Sequence, residues 1–287
     1  MTAPRRAPSW GGVRGLPSQP VAVSAACALV FALLVEAAPA VGGDLTAQKW
    51  WASWAGSFGA PVDLGWYGGV PVASYSLVSP WAGALLGLPL AGALGTVLGA
   101  ASTTALLGRL RSVPTRWTVA GVVAAATWAA DQWSGRTTFG LGAALAVFAL
   151  VVASRHQGRF RRPVAAVLAA LAGATSPLSS VFLLVAAAAW WWGMRPAARP
   201  GRLHLGPTEP WWIAVGALMP IGVARLLGAV SGPQPFGTHQ LVAALAATGL
   251  TWALVPPDHR ALRAGVASTA LLLLLTWAIS NPLGSNS

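Results

Sequence analysis

Apolar runs of about 20 residues follow one another along this chain, joined by short basic links. A helix of that length crosses the ~30 Å hydrocarbon core of a bilayer. It also satisfies its own backbone hydrogen bonds where water is absent. The fold class expected is all-α, a polytopic transmembrane helical bundle. Composition agrees, with 55% of residues hydrophobic and 8% charged, against about 25% charged in soluble domains.

Nine spans are expected. The first four are about Val21–Val41, Trp81–Gly108, Trp117–Ala130 and Phe139–Ser154. The stretch Pro163–Met194 is too long for one helix and short for two. Thr175-Ser176-Pro177 lies near its middle, and proline disfavours helix in the residue before it. It therefore reads as a hairpin of two short spans. The last three are about Pro210–Val230, His239–Val255 and Ala264–Ser280. Residues 1–20, polar and proline-rich, read as a disordered basic tail. Residues 21–287 read as a single transmembrane domain with one long outer loop, 42–80. Ala38-Pro39-Ala40 has the pattern of a signal-peptidase site, but its apolar run is long for a signal peptide. Span 1 is read as an uncleaved anchor.

Charge sets the expected orientation. With the N-terminus inside, fifteen arginines fall on the cytoplasmic side (5, 6, 14, 109, 111, 116, 155, 159, 161, 162, 195, 199, 202, 260 and 263). Lys49 and Arg136 fall outside, and Arg225 lies within span 7. Basic residues favour the cytoplasmic side, at about 1 kcal/mol each near an anionic leaflet. A multi-pass protein of the cell's inner (plasma) membrane is the expectation. The net charge of +12 is not read as a nucleic-acid surface, because its residues sit in links between spans. Cys27 is the single cysteine, so no intrachain disulfide can form, and the four histidines lack metal-ligand spacing.

The outer loop carries most of the chemistry-bearing residues. Ala47, Trp51, Trp54 and Phe58 recur at helical spacing, with Asp44, Gln48 and Lys49 off that stripe. This predicts a short helix in the membrane interface, where tryptophan is favoured. It is either an aromatic anchor or a helix that aims Asp44 at an opening. Trp66, Tyr67 and Tyr75, among glycines and prolines, suit a sugar or a lipid headgroup, and equally ordinary loop packing. Glu36 and Arg225 each lie five residues inside a span end, about 7 Å deep at about 1.5 Å per residue. Ionisable groups there usually face a partner or a wet cavity. They are expected to face one outer cavity, or to snorkel separately. Asp131 and Arg136 flank the outer link between spans 3 and 4. Arg136 is a phosphate candidate through its planar fork, with local pairing to Asp131 as the alternative.

An acidic residue just after span 1, an interfacial helix and an aromatic, glycine-rich return loop resemble the first outer loop of the GT-C membrane glycosyltransferases. The hairpin at Ser176-Pro177 is also similar to that family's core. The resemblance covers about residues 20–230. It implies a sugar donor carried on polyprenyl phosphate, with Asp44 as the catalytic base or metal-side ligand. Arg136 is assigned to the donor phosphate by position, with Arg225 as a second candidate. The family's paired acidic motif is absent, since Leu45 follows Asp44. No large outer C-terminal domain follows; the ending NPLGSNS reads as the start of an outer element and so as a shortened product. The residues leave open whether a divalent metal takes part. They also leave open a transporter or flippase, and a non-catalytic subunit packed against a partner membrane protein.

Overall fold

The computed structural model describes residues 18–38, 42, 44–59, 76–109, 117–154, 159–193, 209–226, 237–257 and 259–279, without the side chains of Ser18, Glu209, Ala224 and Arg225. Among these residues the structure is all-helical, with eleven helices and no strand. They are α1 Ser18–Ala37, α2 Asp44–Phe58, α3 Ser79–Leu86, α4 Leu88–Leu107, α5 Trp117–Trp133 and α6 Thr137–Ala153. Then come α7 Arg161–Thr175, α8 Pro177–Gly193, α9 Glu209–Leu226, α10 Thr238–Leu254 and α11 Arg260–Ala278.

Two breaks show how the sequence writes these boundaries. The stretch read as the second span is two helices. Gly87 sits between them at φ +77, a left-handed conformation that suits glycine, and Pro89 opens α4. The α7–α8 hairpin forms as expected: Ser176, before Pro177, is extended at φ −146 and ψ 115.

Three helices are long and apolar enough to cross a membrane: Gln19–Ala37, Leu88–Leu107 and Arg260–Ala278. Thr137–Ala153, Pro177–Gly193 and Pro210–Val223 are apolar but shorter. Nine full-length spans are therefore not what the helices supply, because several stop at 15 to 17 residues.

The helices pack as two connected groups. In the first, α1 and α5 run parallel and in direct contact, and α4 runs antiparallel against both. Ser24 donates to the Gly121 carbonyl at 2.9 Å and accepts from Thr104 at 2.9 Å. Its apolar centre is Ala28, Ala100 and Ala125, with Phe31, Val97 and Trp128 against them. Helix α6 lies along α4 and joins a second centre built from α6, α7, α8 and α9, around Ala149, Ala169, Leu183, Ile213 and Ala217. Helix α11 lies on α8, and α10 lies on α11.

Small residues form these contacts. Gly99 backs directly onto the Trp128 ring, and Gly216 onto the Ala166 carbonyl. The large apolar side chains point outward instead: Leu33 and Leu34 of α1 are 61% and 62% exposed, and α11 buries no residue. A soluble surface rarely shows so continuous an apolar face, whereas lipid-facing helices put small residues at their mutual contacts.

The antiparallel order brings charge to opposite ends. Arg109, Arg159, Arg161, Arg162, Arg260 and Arg263 lie at one end, the arginine end. Arg109 bonds the Val151 carbonyl and the Ser154 hydroxyl there, closing the last turn of α6. Glu36, Asp44, Asp131 and Arg136 lie at the other end, with α2 and the α5–α6 and α7–α8 turns.

Candidate functional site

The site is the α5–α6 turn with α2 docked on it. The turn is tight: Gly135 adopts φ +78 and Arg136 is the N-cap of α6, which no side chain of its own caps. Helix α2 supplies that cap. Gln48, 3% exposed, donates through Nε2 to the Gly135 carbonyl at 2.7 Å and accepts from the Thr138 amide at 3.2 Å. One carboxamide thus satisfies a turn carbonyl and one of the orphan amides of a helix N-terminus. Gly42 lies directly against the Ser134 carbonyl, where a Cβ would not fit. The Leu45 Cβ packs on Gly135, and Ala52 packs on Gly83 of α3.

Helix α2 forms over the tryptophan-rich segment as expected, and the structure adds its docking face. Its buried residues are Gln48 and Ala55. Gln48, off the aromatic stripe, is the residue that docks the helix. Trp51 and Trp54 are half-buried and Phe58 is 66% exposed. Trp50, Trp54 and Phe58 stack one turn apart, with ring centroids 6.4 and 4.2 Å apart. Trp50 and Phe58 look outward while the Trp54 indole nitrogen is buried, and the face of α2 that docks meets backbone groups and small residues.

The docking brings Asp44, in the first turn of α2, beside Arg136. Arg136 Nε and Asp44 Oδ2 are 4.0 Å apart, with both side chains partly open to solvent at 36% and 56%. This is a loose pair at the rim, compatible with either group meeting a ligand. Asp131, in the last turn of α5 beyond the apolar stretch 117–130, lies against Gly140. Burial raises its pKa from 3.8 to about 6, with the Arg136 charge pulling the other way. Glu36 accepts from Gln132 Nε2 at 2.8 Å, and Gln132 Oε1 accepts from Thr96 at 2.7 Å. A polar chain therefore runs from α1 through α5 to α4.

Three of the residues singled out in the sequence, Asp44, Asp131 and Arg136, gather at the α5–α6 turn. Glu36 takes Gln132 as its partner. Arg225 belongs to α9, which packs on α7, α8 and α6 rather than on α1, and its side chain lies outside the described residues, as do Trp66, Tyr67, Tyr75 and Ala40. Sequence reasoning missed Gln48, Gln132 and Thr96. The signal for Gln48 is the spacing Leu45, Gln48, Ala52, Ala55, a small-residue face on a tryptophan-rich helix. Thr96 is a polar residue inside an apolar run, which in lipid needs a partner, and Gln132 follows the apolar stretch 117–130 in the last turn of α5. Among the described residues, no group of three His, Cys, Asp or Glu side chains could hold a metal ion.

No family model, curated protein or solved structure matches the chain.

Proposed function

We propose that this is a multi-pass protein of the cell's inner membrane and a GT-C-like glycosyltransferase. The donor is a polyprenyl-phosphate sugar, and the site is the acidic end of the bundle, facing away from the cytoplasm. The reading rests on one observation: Asp44 and Arg136, far apart in sequence, are held side by side by the Gln48 clamp. Membrane placement is supported by outward-facing leucines over a small-residue core, and by arginines gathered at the opposite end. If α4 to α11 each cross once and α1 leads in, the helix order gives nine crossings. The short helices α7 and α8 would be accommodated where neighbouring protein covers their turn.

The chemistry is a direct displacement. Asp44 takes the proton of an acceptor hydroxyl, within hydrogen-bond reach. The acceptor oxygen bonds to the anomeric carbon as the bond from that carbon to the phosphate oxygen breaks. The electron pair leaves with the lipid phosphate, whose charge Arg136 offsets. Asp44 would first release Arg136, a small step for a pair 4.0 Å apart and open to solvent.

The test is sugar transfer by the purified chain from a labelled polyprenyl-phosphate sugar. Asp44→Asn should abolish transfer while the protein still purifies as a folded species; wild-type transfer in that variant removes Asp44 as the base. Solute movement in proteoliposomes without a lipid-linked donor would point instead to a transporter. Neither activity, with stable co-purification of another membrane protein, would point to a subunit. Single-cysteine accessibility mapping tests the crossing count, after replacement of Cys27.

A further inference from the structure

The arginine end carries a second feature that the proposed reaction does not use. It is the corner where α8, α10 and α11 meet. Helix α8 ends against the first turn of α11: a Cβ on Gly193 would meet the Ala261 amide nitrogen at 2.9 Å, and one on Gly265 would meet the Ala189 methyl at 3.6 Å. That packing sets the last turn of α8, with Trp191 42% and Trp192 58% exposed, beside Arg260. On the other side of α11 stands α10, whose Trp252 is 41% exposed. Arg263 reaches across, donating from Nε and Nη2 to the Val255 carbonyl at 3.2 and 3.1 Å, with its guanidinium 4.9 Å above the Trp252 ring. Its Nη1 is not used in those bonds. Arg260 is exposed one turn earlier.

Three exposed indoles and two arginines around one helix start form a mixed aromatic and cationic surface. Tryptophan favours the headgroup level of a bilayer, and a guanidinium matches a phosphate in charge and shape. The long lever of Arg263 is fixed in advance by its carbonyl bonds and its stacking, so less rotamer freedom is lost when an anion arrives. Asp258 and Glu209 are the acids that the sequence places near this end, against a clear excess of arginine.

We propose that the first turn of α11, between the tryptophans of α8 and α10, binds the headgroup of an anionic phospholipid from the leaflet at the arginine end. The partner is a lipid of the surrounding bilayer. The proposal rests on the membrane reading above and is independent of glycosyl transfer.

The full chain, purified in detergent, is titrated with phosphatidylglycerol or phosphatidylcholine, and retained lipid is counted by native mass spectrometry. Phosphatidylglycerol should be retained preferentially. Arg260→Gln, an exposed substitution, should weaken that retention about fivefold, the equivalent of about 1 kcal/mol per basic residue near an anionic lipid. Arg260→Lys should keep most of it. Arg159→Gln, at the same end just before α7, should change it less than about twofold. Equal retention of both lipids, or no effect of Arg260→Gln, overturns the proposal, as does an equal loss in the Arg159 variant, which would show diffuse attraction. Alkaline carbonate extraction separates the two levels. Protein released from membranes ends the membrane reading itself, while protein retained but indifferent to lipid charge ends only the lipid site.

Discussion

Gln48 and Gly135 are joined by a buried 2.7 Å hydrogen bond, and the same carboxamide accepts from Thr138 on the far side of Arg136. Arg136, which lies between those two partners, is thereby held in place by a helix that arrives from elsewhere in the chain. Replacing Gln48 by Leu leaves a buried carbonyl and a buried amide unpaired, at about 1–3 kcal/mol each. Gln48→Leu should lower the thermal midpoint in detergent and open α2 to limited proteolysis before the rest of the bundle. Cleavage kinetics across 44–59 identical to wild type would show that the clamp does not hold α2.

Asp44 and Arg136 should be worth little to stability. Their 4.0 Å separation and open side chains place them among rim pairs, whose coupling is typically below about 1 kcal/mol. A double-mutant cycle with Asp44→Asn and Arg136→Gln, read by thermal unfolding, should return a coupling within that range. Loss of sugar transfer in either variant would then be a loss of chemistry rather than of fold. A coupling several times larger would make the pair structural and remove the basis for assigning it to a reaction.

Much of the helical layout was legible, because proline and glycine act locally. Ser176-Pro177 split one apolar stretch into α7 and α8, and Ser134-Gly135 closed α5 onto α6. Gly87 and Pro89 carried the same kind of signal but sat inside an unbroken apolar run, where continuity reads as one span. The aromatic stripe of α2 was legible as an interface helix, but its docking face was not, since Gln48 makes its contacts with backbone atoms. Such a face leaves no apolar period where the contacts of the bundle are made of Gly, Ala and backbone. The Glu36–Gln132–Thr96 chain joins three separate helices and leaves no periodic trace. The meeting of Asp44 with Arg136 was expected only as a shared cavity; the clamp that produces it follows from one glutamine whose partners are backbone atoms.

Asp131 gives a pH dependence with a definite sign. Its pKa in the folded protein is about 6, above the ordinary 3.8, because burial penalises the charged carboxylate more than Arg136 relieves it. The folded state therefore binds this proton more tightly than the unfolded chain does. Stability contributed by the group is present at low pH and is lost as pH rises from about 4 through about 6, reaching about 3 kcal/mol at most by linkage. Wild-type protein should lose thermal stability between pH 5 and pH 7.5, and Asp131→Asn should flatten that slope. Parallel slopes in the two proteins would assign the effect to other groups.

Gly99 tests the claim that close backbone approach, rather than bulk hydrophobicity, sets the first helix group. Its Cα faces the flat of the Trp128 ring, and that ring cannot easily step aside because Trp128 Nε1 donates to Thr103 at 3.1 Å. Ala100 and Ala125 fill the space around it at 0% exposure. Gly99→Ala adds one methyl group and raises helix propensity by about 1 kcal/mol, so propensity alone predicts stabilisation. Overpacking predicts the reverse, with a typical cost of about 1–3 kcal/mol as the indole is pushed off its rotamer or α4 and α5 separate. The expected result is a lower thermal midpoint for Gly99→Ala, with partial recovery in Gly99→Ala combined with Trp128→Phe, which shortens the ring system at the loss of the Thr103 bond. A higher midpoint in the single variant would mean that α4 and α5 are not held at the separation the tryptophan and glycine define.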